Sequence, residues 1–317
     1  MNSILEKIKS AVVEALPKSK KTTRWILKIV IPISLLVSIL QYFGIISYFA
    51  KFLAPLFSHI GLPGESAIVF LTSVFLPLYA PIAVLTTLPL GIREITILAV
   101  MCLISHNLIV ETAIQKKVGS NYFAIFSVRI LASFTVAFFL NKVLPHHMHG
   151  EIVASQAVIY TSIWQMITAW AINSFWLALK VWLIISGLII LQNILKEFNL
   201  LNKISNAFTP FMSVMGLSKN SSFLWFVAHV LGLTYGSAVL ISAVESKEIE
   251  VHEADLLNYH VAVNHSTLED TLLFVAIGVP AGWMIFPRFI ISIIIVWLVR
   301  LTYFLLRSKK KVVKATT

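Results

Sequence analysis

The sequence predicts an all-α, polytopic integral membrane protein with two inverted-topology repeats and re-entrant or broken helices. Three observations support this fold class. Of the 317 residues, 58% are hydrophobic and only 12% are charged, whereas a soluble domain has about 25% charged residues. Several apolar runs reach the roughly 20 residues that a helix needs to cross the hydrocarbon layer. The residue pattern of the first half also recurs in the second half.

The internal repeat has two closely related spacings. A shift of 155 residues places Pro55 on Pro210, and after a four-residue insertion a shift of 159 places His106 on His265. The same two shifts match Gly61 with Gly216, Ser66 with Ser221, Thr112 with Thr271, Gly119 with Gly278, and Arg129 with Arg288. Tandem copies of opposite orientation, with a binding site near the bilayer midplane, are common in secondary transporters.

Each half contains four apolar runs, and the second run is interrupted in both halves. The runs fall at about 25–49, 68–87, 97–115 and 122–143, and then at 175–195, 222–244, 256–277 and 281–306. Residues 73–81 contain two prolines, and residues 231–237 contain two glycines with hydroxyl side chains. Proline removes a backbone donor, and glycine costs about 1 kcal/mol relative to alanine within a helix. Such breaks survive at membrane depth only inside protein or beside a polar cavity, so we predict a re-entrant hairpin or broken helix at each.

The distribution of positive charge predicts that both termini are cytoplasmic and that the chain is a multi-pass protein of the inner (cytoplasmic) membrane. Lysine and arginine cluster before the first run and after the last, whereas residues 143–179 contain neither. Because positive loops stay on the cytoplasmic side, we expect each half to cross three times and the repeats to be inverted, with Lys51 and Arg93 as the exceptions to this charge pattern. Residues 152–175 are interpreted as an external interfacial helix with Trp164 and Trp170 at headgroup level. If that segment spanned the bilayer, the inverted arrangement would not follow.

The predicted organisation has five parts. They are a cytoplasmic amphipathic segment at 1–24, a first repeat at 25–145, an external linker with the interfacial helix at 146–174, a second repeat at 175–306, and a basic cytoplasmic tail at 307–317. The net charge of +11 is concentrated at the two ends, which favours anionic lipid headgroups over nucleic acid as the partner. The single cysteine, Cys102, excludes an intrachain disulfide and a cysteine-based metal cluster.

The third apolar run of each half contains polar residues at matched positions. Residues 105–112 read Ser-His-Asn-Leu-Ile-Val-Glu-Thr, and residues 264–271 read Asn-His-Ser-Thr-Leu-Glu-Asp-Thr. An ionisable group within the bilayer costs at least a few kcal/mol, so such residues are functional candidates. His265 and Glu269 are four residues apart and share a helix face, whereas His106 and Glu111 converge less well on an unbroken helix.

These residues define a candidate substrate-binding site with several roles left open. Its members are His106, Asn107, Glu111, Thr112, His265, Ser266, Glu269 and Asp270, together with the hydroxyl-bearing hairpin residues Tyr79, Thr234, Tyr235 and Ser237. A candidate metal set is His265, Glu269 and Asp270. The alternatives are hydrogen bonding to a polar solute, ligation of a divalent cation, proton relay, or a polar network that joins the repeats. Arg129 and Arg288 are expected to pair structurally with Glu111 and Asp270, or else to extend toward the headgroups.

The doubled unit and the stretch His-Ser-Thr-Leu-Glu-Asp-Thr-Leu-Leu-Phe-Val-Ala-Ile-Gly-Val-Pro at 265–280 resemble the nucleoside recognition, or Gate, domain family. That family includes the spore maturation proteins A and B and YjiH-type membrane proteins. Related units form the core of the ferrous iron transporter B family and occur in concentrative nucleoside transporters. The resemblance covers residues 25–145 and 175–306. The iron transporters carry a cytosolic GTPase and pore cysteines, whereas this sequence has no GTP-binding motif and one thiol.

We therefore expect a secondary transporter of a small polar solute, which is nucleoside-like by resemblance. The alternatives are a divalent metal transporter of the ferrous iron type and a membrane scaffold or accessory subunit that does not transport. No phosphate-binding loop, nucleophile elbow or zinc-protease motif is present, so we do not expect an enzyme. Nothing in the residues identifies a cofactor, and a homo-oligomer is left open.

Overall fold

A computed structural model describes residues 2–146, 148 and 161–316. These residues form α-helices and one short 3-10 helix at Lys219–Ser221, and this described part contains no β-strand. The predicted all-α class is confirmed. The helices are α1 (Asn2–Tyr42), α2 (Ile45–Ser58), α3 (Ser66–Phe75), α4 (Tyr79–Leu85), α5 (Ile92–Ser105), α6 (Leu108–Lys117), α7 (Tyr122–Val143), α8 (Ile163–Glu197), α9 (Leu200–Met212), α10 (Ser222–Glu245), α11 (Val251–Val263), α12 (Thr267–Val275) and α13 (Ala281–Thr316).

The internal repeat extends from the sequence to the backbone conformation. Residues with left-handed backbone angles recur at matched positions, and such angles are uncommon for any residue except glycine. The matched pairs are Gly44 (φ 72°) with Asn199 (φ 51°), Gly61 (φ 74°) with Gly216 (φ 73°), Asn107 (φ 48°) with Ser266 (φ 46°), and Gly119 (φ 119°) with Gly278 (φ 98°). Accordingly α1–α7 correspond to α8–α13, with α3 and α4 matched by the single kinked helix α10.

The first helices of the two repeats, α1 and α8, pack against each other and run antiparallel. Lys7 lies 3.6 Å from Glu197, the Asn193 side chain donates to the Ala11 carbonyl, and Trp170 donates to Ser34. The partner number in α8 therefore falls as the number in α1 rises. The side of α1 facing this contact carries a buried stripe of small residues, Ala11, Ala15, Ser19 and Thr23, and short side chains let two helices approach closely.

Two boundaries predicted from the sequence fall inside helices. α1 is continuous across residues 24 and 25, and α8 begins at Ile163 rather than at 175. Residues 163–175 are thus the first turns of α8 and not a separate interfacial helix, because nothing between 163 and 186 is proline or glycine. The Ser162 hydroxyl caps the start of α8 by accepting from the amide of Gln165. The earlier part of the predicted interfacial helix, residues 152–160, lies outside the described residues.

Four segments of the described chain are long and apolar enough to cross a membrane. They are Ile92–Lys117, which combines α5 and α6, and Tyr122–Val143, Ile163–Leu195 and Ala281–Leu306. The other two expected crossings, in α1 and in α11–α12, are the repeat equivalents of α8 and of α5–α6. The chain is therefore a multi-pass membrane protein.

The two helices α5 and α11 form the centre of the molecule. Every residue from Ile95 to Ser105 is buried, and so is every residue from Leu256 to Val263. A helix that is buried on all sides has neighbours all round, and α5 contacts α3, α7, α11 and α13. This arrangement places the ends of α5 and α11 deep inside the protein.

Candidate functional site

Both central helices are interrupted at the same position of the repeat. α5 ends at Ser105, His106 is extended (φ −64°, ψ 152°), and Asn107 is left-handed before α6 begins at Leu108. In the second half α11 ends at Val263 and the left-handed residue Ser266 precedes α12. The sequence predicts an unbroken helix at each of these places, and that prediction is wrong. Neither break contains proline or glycine, which are the usual sequence signals of a kink.

The breaks predicted in the second apolar runs are present. A carbonyl at each of them accepts a hydrogen bond from a backbone amide at the break in a central helix. The Asn107 amide donates to the Ser73 carbonyl at 2.7 Å, and the Ser266 amide donates to the Ala228 carbonyl at 3.1 Å. Ser73 lies four residues before Pro77, which has no amide hydrogen to donate. Ala228 lies four residues before Gly232, where helical geometry is interrupted (φ 81°, ψ 171°). In each repeat, one broken element thus supplies the hydrogen bond that the other break requires.

The two breaks meet at a pair of histidines. His106 and His265 occupy the same repeat position, and their Nε2 atoms lie 3.4 Å apart. The exposed fractions of the two residues are 5% and 0%. Each Nδ1 faces the carbonyl oxygen four residues earlier, that of Cys102 at 3.1 Å and that of Val261 at 2.7 Å.

Two buried carboxylates complete this histidine cluster, one from each repeat. The Glu111 carboxylate reaches both imidazoles, with Oε1 3.4 Å from His106 Nε2 and Oε2 3.4 Å from His265 Nε2. The Asp270 Oδ2 atom lies 3.7 Å from His106 Nε2. His106 and Glu111 therefore converge, contrary to the expectation for an unbroken helix, because the break at Asn107 redirects α6.

Arg129 and Arg288 stabilise the ends of the two central helices. Arg129 donates through Nε to the Ile104 carbonyl at 2.8 Å and through Nη2 to the His106 carbonyl at 2.7 Å. Arg288 donates in the same way to the carbonyls of Val263 at 3.4 Å and His265 at 2.6 Å. The last carbonyls of a helix lack intrahelical partners and carry partial negative charge, so each guanidinium acts as a cap.

The expected charge pairing of these arginines is present for Arg129, whose Nη2 lies 2.8 Å from Glu111 Oε2. The hydrogen bonds found for Arg288 go to backbone carbonyls instead. Both arginines are 0% exposed. The alternative that they extend to the headgroups is therefore wrong.

The candidate metal set differs from the one predicted. Glu269 accepts a hydrogen bond from the Tyr79 hydroxyl at 2.9 Å and is not among the grouped ligand atoms. His106, His265 and Asp270 instead bring their ligand atoms within 4.8 Å of one another. The prediction relied on four-residue spacing along a continuous helix, but His265 precedes the break at Ser266 and Glu269 follows it.

Several buried polar atoms close to the cluster in sequence have no hydrogen-bond partner among the described residues. They include the hydroxyls of Thr112 and Thr271, Glu111 Oε2, Asp270 Oδ2 and Asn264 Nδ2. Thr112 and Thr271 are matched by the repeat, and Asn264 belongs to the polar stretch of the third run but was not among the predicted site residues. The side chains of Thr234, Tyr235 and Ser237 lie outside the described part of the structure.

A second polar contact, which the sequence does not predict, shows the relative direction of the broken helices α5–α6 and α11–α12. The Gln115 side chain donates to the Asn258 carbonyl at 3.0 Å, and the Asn258 side chain donates to the Gln115 carbonyl at 3.2 Å. The end of α6 therefore lies beside α11, while the two breaks touch through the histidines. The broken helices α5–α6 and α11–α12 consequently run antiparallel. Polar residues within apolar runs were the available signal for Gln115 and Asn258.

Comparison with known proteins places the chain in a family. The family described as nucleoside recognition (Gate) matches residues 23–138. The chain is also 30% identical over 271 residues to the uncharacterized membrane protein YvoD of Bacillus subtilis (strain 168), which covers 84% of this chain and 86% of that protein. No solved structure matches this chain. On these matches, the chain belongs to the Gate, or nucleoside recognition, family of membrane proteins.

Proposed function

We propose that this protein is a transporter that carries a small polar solute through a site where its two broken helices cross. The observation that carries the proposal is the buried cluster of His106, His265, Glu111 and Asp270, to which each repeat contributes one histidine and one carboxylate. Burying ionised groups inside a membrane protein costs several kcal/mol and marks solute or ion pathways. The unpartnered hydroxyls of Thr112 and Thr271 add further hydrogen-bonding capacity.

The packing of equivalent helices supports an inverted arrangement of the repeats in the membrane. α1 and α8 are equivalent and antiparallel, and so are α5–α6 and α11–α12. If two equivalent helices cross a bilayer in opposite directions, the repeats that contain them have opposite orientations in the membrane. In transporters built this way, movement of one group of helices against the other exposes a central site to each side in turn. We propose the cytoplasm for both termini, following the distribution of positive charge.

The described conformation is closed, since the histidines and carboxylates of the cluster are at most 8% exposed. Opening requires that contacts between the repeats separate. The hydrogen bond from Tyr79 in α4 to Glu269 in α12 is one such contact. Its place at the junction of a hairpin and a broken helix suits a gate.

Cysteine accessibility tests this proposal without knowledge of the solute. Cys102 is the single cysteine, so Cys102→Ala provides a background into which Thr112→Cys and Thr271→Cys are introduced separately. In proteoliposomes of defined orientation, we expect a membrane-impermeant thiol reagent to label both positions from either side. The exposed residue Ser246 serves as the control, because Ser246→Cys should be labelled from one side only. Labelling of the two site positions from a single side would contradict alternating access.

A further inference from the structure

We infer that the solute bound at this site is a divalent first-row transition-metal cation, held by His106 Nε2, His265 Nε2 and the carboxylate of Asp270, with the Glu111 carboxylate beside them. The role of the ion as cargo rests on the proposed transport function, whereas the binding site itself does not. Three independent features of the cluster lead to this inference. They are the tautomer of the histidines, the spacing of the ligand atoms, and the excess of acceptors.

The hydrogen bonds of the histidines direct both Nε2 lone pairs into the cluster. A carbonyl oxygen only accepts, so the Nδ1 atoms that face Cys102 and Val261 carry the protons. In the neutral imidazole the other nitrogen is then unprotonated. Metal-binding histidines commonly donate their second ring N–H to a backbone carbonyl, which fixes the tautomer and the ring orientation. Both histidines have this arrangement, at the same position of each repeat.

The separation between the two Nε2 atoms matches that of two ligands around one tetrahedral ion, and the carboxylates of Glu111 and Asp270 lie at similar distances from the imidazoles. Two ligand atoms at about 2.0–2.1 Å from such an ion are about 3.3–3.4 Å apart. The distances from His106 Nε2 to His265 Nε2, from His106 Nε2 to Glu111 Oε1, and from His265 Nε2 to Glu111 Oε2 are each 3.4 Å. Asp270 Oδ2 is slightly farther, at 3.7 Å from His106 Nε2. A gap of this size takes a single ion and not a nucleoside.

The cluster has more acceptors than donors. Two imidazole lone pairs and two carboxylates converge, and the guanidinium of Arg129 lies within ion-pair distance of one of the four carboxylate oxygens, Glu111 Oε2. Asp270 Oδ2 has no hydrogen-bond partner in the described structure, and neither do Arg129 Nη1 and Arg288 Nη1, so the acceptors predominate between the two imidazoles and not around the whole cluster. Acceptors that face each other at these distances repel unless a positive charge lies between them. A metal cation supplies that charge.

The ligand types select the class of cation. Imidazole suits zinc, iron, copper and nickel, whereas magnesium and calcium prefer sites made of oxygen ligands alone. Imidazole and carboxylate ligands together therefore favour first-row transition-metal ions such as Fe²⁺ and Zn²⁺ over Mg²⁺ and Ca²⁺. The nearby charge of Arg129 weakens the binding of any cation, which suits an ion that must be released rather than one held permanently.

Cobalt binding to the purified full-length protein in lipid nanodiscs tests this inference. We expect one Co²⁺ per chain by elemental analysis, with the visible absorption bands of a tetrahedral nitrogen and oxygen site. Zn²⁺ should displace Co²⁺, and Mg²⁺ should not. His106→Gln, His265→Gln and Asp270→Asn should each weaken binding more than about 100-fold, because even outer partners of a metal site are worth about 10–100-fold.

Matched controls separate loss of a ligand from loss of the fold. His260→Gln removes a buried histidine of α11 that contacts Ser292, and Asp255→Asn removes an acid of the same helix that accepts from Ser120. The Co²⁺ affinity of both variants should stay within about threefold of that of the unaltered protein. This change is much smaller than the loss of affinity expected when a metal ligand is removed. If a histidine variant does not fold, the wild-type absorption spectrum alone decides whether nitrogen ligands hold the ion.

Three results would overturn the inference. One is the absence of bound Co²⁺ in the wild-type protein, which would point to a proton shared by the histidines. Another is binding that survives Asp270→Asn but is lost in Glu269→Gln. The third is Co²⁺ binding without two-sided labelling of Thr112→Cys and Thr271→Cys, which would overturn the transport function and the cargo role together. Two-sided labelling without Co²⁺ binding would overturn the metal assignment alone.

Discussion

His106 and His265 lie 159 residues apart in the chain, yet their Nε2 atoms are 3.4 Å from each other. His106 is the first residue after α5 and His265 the second residue after α11, and each backbone carbonyl accepts from an arginine in the last helix of its own repeat. The contact therefore joins two equivalent points of the repeat. Because the site is made from both halves, changes in either repeat should alter it.

Replacement of Arg129 should destabilise the protein more than replacement of Arg288. Arg129→Gln removes a helix cap and leaves the Glu111 carboxylate buried without its guanidinium, and breaking a buried ion pair costs about 3–5 kcal/mol. Arg288→Gln removes a cap and a longer-range attraction to Asp270, but not a close ion pair like that of Arg129 with Glu111. Equilibrium unfolding in mixed micelles measures the difference, with Lys116→Gln as an exposed charge control. The double variant Arg129→Gln with Glu111→Gln should recover part of the loss, and no recovery would contradict the pairing.

Alanine at Gly232 should be costly, whereas alanine at Gly187 should not. Gly232 has φ 81°, and an added Cβ would lie 3.0 Å from the Ser266 hydroxyl. We expect Gly232→Ala to lower the free energy of unfolding by about 1–3 kcal/mol, because φ 81° with ψ 171° is a conformation that essentially only glycine adopts. Gly187 lies within α8, and a Cβ added there meets nothing within 4 Å. Gly187→Ala should therefore raise the free energy of unfolding by about 0.4–1 kcal/mol. Equal effects of the two changes on unfolding would show that the kink at Gly232 is not required.

Loss of the hydroxyl of Tyr79 should favour the open conformation. Tyr79→Phe leaves Glu269 without its hydrogen bond, and an unsatisfied buried group costs about 1–3 kcal/mol or more when charged. The contact between α4 and α12 weakens, so labelling of Thr271→Cys by the impermeant reagent should become faster. Tyr122→Phe is the control, since the ring contacts of Tyr122 with Phe123 and Phe126 are kept. Unchanged labelling in Tyr79→Phe would remove this bond from the gating contacts.

The close contact between α1 and α8 should not tolerate a larger side chain at Ala15. Ala15 is 0% exposed within the small-residue stripe, and overpacking a well-packed site costs about 1–3 kcal/mol. Ala15→Leu should therefore lower the apparent melting temperature. Val13 lies on the exposed side of the same helix, so Val13→Leu should change the melting temperature little. Equal melting temperatures for both variants would mean that α1 and α8 do not pack as closely as described.

Much of this arrangement was accessible from the sequence, because proline, glycine and buried charge leave local signals. Pro77 and Gly232 mark the broken second runs, and the polar residues His106, Glu111, His265 and Asp270 stand out in apolar surroundings. The breaks at Asn107 and Ser266 could not be predicted, since they depend on carbonyls of Ser73 and Ala228 that lie far away in the chain. The choice of Asp270 over Glu269 depends on those breaks.

A central site shared by two inverted repeats requires that the repeats have opposite orientations in the membrane. Asn121 and Pro280 occupy the same repeat position, just before α7 and α13, and both are exposed. Asn121→Cys and Pro280→Cys in the Cys102→Ala background can each be labelled with an impermeant thiol reagent in sealed vesicles of known orientation. We expect Asn121→Cys to react only from the cytoplasmic face and Pro280→Cys only from the opposite face. Reaction of both from the same face would contradict two inverted repeats that share one central site.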